Sequence, residues 1–197
     1  MKTIIQIVLA LVIVVLGYLI YESVLEPVRF NQEVAHREAV IVQRLKDIRQ
    51  VQIAHRSRFG RFTSDLDSLV EFYKTDSLPV IRAIGTVPDT LTESEAVDMG
   101  IVQRDTSWIS TTDSLLTNAN YPIDSLPFVP FTDGVKFTMD ASKIERGLTE
   151  LPVFEAYALP EDYLEDMDRW KVYYTRDIEQ GLRVGSMFEA STDGNWE

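Results

Sequence analysis

The sequence predicts an α+β fold in which an N-terminal transmembrane helix continues into a long amphipathic helix packed on a mainly antiparallel sheet. Three observations predict it. Residues 4–21 read IIQIVLALVIVVLGYLIY, apolar on every helical face. Residues 28–59 contain neither glycine nor proline and carry an apolar stripe at helical spacing. Beyond Leu78 the texture changes to short β-branched runs separated by turn residues.

As a helix, residues 4–21 span roughly 27 Å, close to the hydrocarbon thickness of a bilayer. Tyr18 and Tyr21 stand at the far end, where aromatic rings favour the interface. The rival reading is a cleaved secretory signal, but Tyr21, Glu22 and Ser23 follow the run with no A-x-A-like triplet. Lys2 lies before the run, and Glu22 and Glu26 come first after it. The positive-inside rule then gives three regions: a short cytoplasmic N-terminus at 1–3, an anchor at 4–21 and an extracytoplasmic domain at 22–197. The expected location is the cytoplasmic (inner) membrane, with the C-terminal domain periplasmic.

The spine helix is expected over 30–59, with Pro27 at its start or at a kink and Gly60 as its stop. Val34, Ile41, Leu45 and Ile48 form one apolar face, widened by Ala35, Val42 and Val51. Arg37, Arg44, Lys46, Arg49, Arg56 and Arg58 are expected mostly on the other faces. Two readings of the stripe stay open. It packs on its own domain, or Val34, Ile41, Leu45 and Ile48 form a seam with partner subunits or copies of the chain.

Ser64 with Asp67 predicts a capping box opening a short helix with Leu66, Leu69, Val70 and Tyr73 on its apolar face. Strands are expected near 80–87, 101–110, 128–131, 135–139, 153–158, 170–175 and 182–190. Thr92 and Glu95 predict a further short helix ending at Gly100, and 160–166 a helical turn.

Charge is distributed unevenly. Up to Phe62 there are 9 Lys/Arg against 5 Asp/Glu, and beyond it 10 against 26. An acidic body repels nucleic acid and anionic lipid head groups, so neither is expected as its partner. The chain has no cysteine, which excludes disulfides and thiolate chemistry. His36 and His55 are its only imidazoles, roughly 28 Å apart along the spine, too far to share a site. No phosphate-binding loop, dinucleotide fingerprint or zinc-protease motif occurs, so no enzyme and no cofactor are expected. Calcium is the one ion for which oxygen ligands are gathered, at Glu161, Asp162, Glu165, Asp166 and Asp168 or in the 191–195 tail. Neither stretch has EF-hand spacing.

The order of parts carries a resemblance. An apolar helix runs into an amphipathic one containing Ile48-Arg49-Gln50-Val51-Gln52. Then come Phe59-Gly60-Arg61-Phe62, Leu66-Asp67-Ser68-Leu69 and a terminal Asp193-Gly194-Asn195-Trp196. This resembles type IV pilins and, more closely, the pseudopilins of type II secretion. The resemblance covers residues 34–73. It implies a helix that bundles with other subunits and a globular domain facing outward, with a calcium loop near the C-terminus in some members. Residues 1–6 lack the family's processing motif, and no acidic residue opens the apolar run. The expected function is a non-enzymatic, membrane-anchored structural or assembly subunit of a secretion or surface complex. The alternative is a monomeric anchored binding module.

Overall fold

The computed structural model describes residues 2–84, 92, 99, 103–168, 170–174 and 179–197, with backbone only at 81–84 and 103–104. One helix, α1 (Lys2–Phe59), runs through both the apolar segment and the spine. It contains a segment long and apolar enough to cross a membrane, judged by length and composition, and none of that segment is buried. Pro27 lies inside α1 rather than at a break. Its missing N–H leaves the Ser23 carbonyl without its helical donor, and Ser23 is exposed, so water can replace it. Gly60 ends the helix at φ +72, its N–H closing the last turn on the Arg56 carbonyl at 2.7 Å.

The second helix, α2 (Leu66–Thr75), begins one residue later than the capping pattern suggested. Asp65, not Ser64, is its N-cap, accepting from the N–H groups of Asp67 and Ser68. These bonds and that from the Ser68 hydroxyl hold the Asp65 carboxyl below its usual range. Strands β1 (Ser77–Ile84) and β2 (Gln103–Ser110) form an antiparallel ribbon, with Ser77 opposite Ser110 and Ile84 opposite Gln103. The buried Thr111 hydroxyl, on the single turn α3 (Thr111–Ser114), ties the ribbon's root to the Tyr73 and Asp76 carbonyls at 2.6 and 2.9 Å.

A three-stranded antiparallel sheet follows in the order β3-β4-β5, made of Thr138–Arg146, Thr149–Ala158 and Leu182–Gly185. Between β4 and β5 lie two single turns, α4 (Pro160–Tyr163) and α5 (Trp170–Tyr173). Spine and sheet meet where α1 packs on β4 and β5. The core comprises Ile41, Leu45, Ile48 and Val51 from the spine and Leu69 from α2, with Phe154, Ala156 and Val184 from the sheet, all fully buried.

Several strand boundaries differ from expectation. Residues 128–131 are not a strand. Pro130 lacks a ladder donor and Phe131 sits at φ +66, so only a Phe128–Lys136 bridge forms. The strand expected at 135–139 begins at Thr138 and runs to Arg146. Its charged residues hid it, but a Gly147-Leu148 turn folds it back on β4. Gly147, with φ +68 at the first central position, fits the type II′ hairpin. Residues 170–173 are helical, because a helical turn places Trp170 and Tyr174 on one side, ring centroids 6.5 Å apart. The last strand stops at Gly185, φ +78, where a Cβ would collide with the Phe154 carbonyl. The helix expected over 92–100, apart from residues 92 and 99, and the strand segments at 85–87, 101–102 and 175 lie outside the described residues.

Candidate protein interface: the spine and its clamp

The buried face of α1 is not wholly apolar. Val34, Ile41, Leu45 and Ile48 are 7%, 0%, 0% and 0% exposed, covered by the chain's own body. Interleaved with them are Arg37, Glu38, Arg44, Asp47 and Gln52, all buried too. This corrects the expectation of a solvated basic face at Arg37 and Arg44. The signal was present in the spacing, since positions 37, 41, 44 and 48 share one side of a helix.

Each buried polar group meets a group from the body. The Arg37 guanidinium donates to both Asp166 carboxylate oxygens at 2.5 and 2.8 Å, to the Tyr163 carbonyl at 2.7 Å and to Glu33 at 3.0 Å. Bidentate pairing of this kind fixes orientation as well as distance. The Asp166 bonds raise the Arg37 pKa against the opposing effect of burial and lower that of Asp166. Glu38 accepts from the Tyr174 hydroxyl at 3.1 Å. Two helical turns beyond Arg37, Arg44 stacks 3.3 Å over the Tyr121 ring and donates to the Ser125 carbonyl at 2.6 Å. Burial lowers its pKa. The Tyr121 hydroxyl donates to Asp47 at 2.5 Å, and Gln43 donates to the same carboxylate at 3.0 Å. Gln52 closes the row, exchanging bonds with both backbone groups of Thr63.

These contacts clamp the body on one side of the spine along its whole outer half. Arg37→Ala removes the donor to the carbonyl of Tyr163, itself fully buried. We expect a loss of about 1–3 kcal/mol, read from urea midpoints. Asp166→Asn should cost about 1 kcal/mol or less, because the Asp166 side chain is 60% exposed and solvent screens the pair. The sign of its pH dependence follows from its lowered pKa. Asp166 contributes stability above its unfolded value of about 3.9, and that contribution is lost as pH falls through the folded value. The wild-type midpoint should therefore drop more than that of Asp166→Asn between about pH 6 and pH 3.

Tyr121 gives an alkaline counterpart. Burial first, and then the Asp47 bond, push its pKa up. Its contribution is present below the unfolded value of about 10 and lost above it. Difference absorbance between wild type and Tyr121→Phe should show a tyrosine that ionises only when the body unfolds. The substitution itself should cost about 0.5–1.5 kcal/mol.

The remaining candidates have structural roles. Arg58 lies 3.6 Å from Asp76 and 5.1 Å over the Trp108 ring, and Arg56 sits over Phe62, so the basic-aromatic stretch packs on the acidic body. His55 meets the Arg61 carbonyl at 2.9 Å, and His36 lies exposed beside Phe131. In the acidic run, Asp162 accepts from the Leu159 N–H, and Asp166 is engaged by Arg37. In the tail, Asp193 accepts from the Ser191 hydroxyl, while Asn195 bonds the Arg183 N–H and the Gly181 carbonyl. Among the described residues, no three His, Asp or Glu side chains gather as a metal-holding group.

The opposite side of the outer spine is open. Gln32, Ala35, Ala39, Gln43 and Gln50 are exposed, as is Ile53 at its outer end. From Lys2 to Val24 every residue is exposed. Compared with family models, curated proteins and solved structures, the chain matches none of them.

Proposed function

We propose that this chain is a non-enzymatic, membrane-anchored envelope protein acting as a structural or assembly subunit of a pilin-like or pseudopilin-like complex. Residues 4–21 would cross the cytoplasmic membrane with the N-terminus inside, and the body would stand on its extracytoplasmic side. The observation that carries the reading is the division of one unbroken helix. Its apolar half, residues 2–24, is exposed throughout, while its outer half is bolted to a folded body. A helix that only built a core would not extend uncovered for so many apolar residues, because that surface in water is strongly unfavourable. A rigid mount also suits a subunit that must present its body at a set height and rotation.

Subunit contacts would fall on the uncovered anchor and on the open spine face at Ala35 and Ala39, since the Val34–Ile48 face is occupied by the body. Ala10 and Gly17 lie on one side of the anchor, where small residues let a partner helix approach closely. Burial of that stripe also favours the second reading, a monomeric anchored binding module.

The chain has no cysteine, so single cysteines at Ala39 and Val12 report cleanly in native membranes. A disulfide-linked ladder of copies, or a defined adduct with a second protein, supports the subunit. Full-length monomer at both positions favours the binding module. Loss of the first twenty-odd residues from the mature protein, read by intact mass, overturns the anchored reading.

A further inference from the structure

Among the described residues, α5 packs on α1 at Phe30, the first buried residue after the apolar segment. Covering of α1 begins at Leu25, Glu26 and Pro27, which are half-buried, whereas residues 2–24 are exposed. Leu25 lies roughly 6 Å along the axis from Tyr21. The Tyr173 ring meets Phe30 at 5.5 Å between centroids, and Trp170 is buried against the core. Two side chains of this turn face outward. Val172 is 67% exposed, and the exposed Lys171 holds its Nζ 5.5 Å from the Trp170 ring centroid. An exposed valine with a lysine beside it, whose stem can lie along apolar surface while its ammonium stays in water, suits a membrane–water boundary.

The geometry puts this turn near such a boundary. With Tyr21 at the edge of the hydrocarbon, the headgroup layer extends a further 5–8 Å or so. The level of Phe30 lies roughly 13.5 Å beyond Tyr21, and that of Leu25 roughly 6 Å. A membrane helix tilts by about 20° on average, which lowers a group about 10 Å off its axis by roughly 3 Å. A body clamped to the spine moves with that tilt as one piece.

We propose that α5 is a foot that seats on the phospholipid headgroup layer, with Val172 entering it and Lys171 meeting lipid phosphate. The foot fixes the tilt and rotation of the body over the membrane. This rests on the anchored reading above. Glu22 and Glu26 balance Arg29 and Lys171 in charge, so seating depends on apolar contact more than on anionic lipid.

The test uses the full chain in vesicles of phosphatidylcholine and phosphatidylglycerol, with a nitroxide at Val172→Cys or at Leu148→Cys. Leu148 is fully exposed at the β3–β4 hairpin tip. That hairpin leads into Phe154, whose ring packs on Phe62 beyond the outer end of α1, far from the foot. Both positions are exposed, so labelling spares the core. Flotation is measured first. In floating vesicles, collision with a water-soluble nickel chelate should be severalfold lower at 172 than at 148, while collision with oxygen stays equal or rises. Equal nickel accessibility at both positions in floating vesicles overturns the foot and leaves the anchor intact. Protection of 172 from nickel and oxygen together assigns the face to a protein neighbour, which also overturns it. Failure to float overturns the anchor and the foot together.

Discussion

Leu45→Asp is expected to unfold the body outright. Leu45 is fully buried among spine, α2 and sheet residues. Deleting a buried leucine side chain alone costs about 2–5 kcal/mol. An unpaired carboxylate in its place adds a desolvation penalty of several kcal/mol more. Together these approach or exceed the roughly 5–15 kcal/mol total stability of an ordinary domain. Near-ultraviolet circular dichroism and limited proteolysis should report loss of the folded body. Ala39→Asp makes the informative contrast, because Ala39 is exposed on the opposite face of the same helix. Its folding cost is roughly the helix-propensity difference, under about 1 kcal/mol. If the open face holds partners, Ala39→Asp should release them while the body stays folded. A folded Leu45→Asp body would show that the stripe is not the core that its burial indicates.

Removing residues 1–22 is expected to move the chain completely from the membrane to the soluble fraction while leaving the body folded. Apolar burial in lipid contributes about 0.8 kcal/mol per CH₂, which makes a full-length apolar helix an effectively irreversible anchor. One exposed valine and one lysine on α5 are far too little to replace it. None of the removed side chains that the structure describes is buried in the body. Its urea midpoint should therefore match that of the full chain, to within about 0.5 kcal/mol in stability. Retention of the truncated chain on membranes would show a second attachment. Loss of its fold would show that the first half of α1 supports the body.

Acid and alkali should weaken the clamp at different bolts. Falling pH removes the charge on Asp166 and with it the bidentate bond to Arg37, and rising pH acts on Tyr121 over Asp47. The body is thus expected to be most stable between these limits, and each single variant should flatten one side of the profile.

Much of this architecture was legible because it rests on local rules. The apolar run, its length and the tyrosines that end it are properties of consecutive residues. The same holds for the glycine that stops α1 and for the stripe at Ile41, Leu45 and Ile48. The ribbon and the sheet followed from β-branched texture and turn residues, although β3 was obscured. Its exposed charged positions outnumber its buried ones, and only the register with β4 defines it as a strand.

What the stripe packs against was decided by tertiary structure. A helix face states that it must be covered, not by what, and here the answer came from β4, β5 and α2 of the same chain. Arg37 and Arg44 looked like solvent residues because a lone guanidinium is too costly to bury. The partners that make burial tolerable, Asp166, Tyr163, Tyr121 and Ser125, lie far along the chain. The sequence by itself determined the long apolar segment, the spine and the α+β class, since short-range periodicity and hydropathy suffice for those. The clamp that joins spine to body, and the packing of α5 against Phe30, were decided by tertiary structure alone. Both depend on residues that only the folded chain brings within hydrogen-bonding or van der Waals distance.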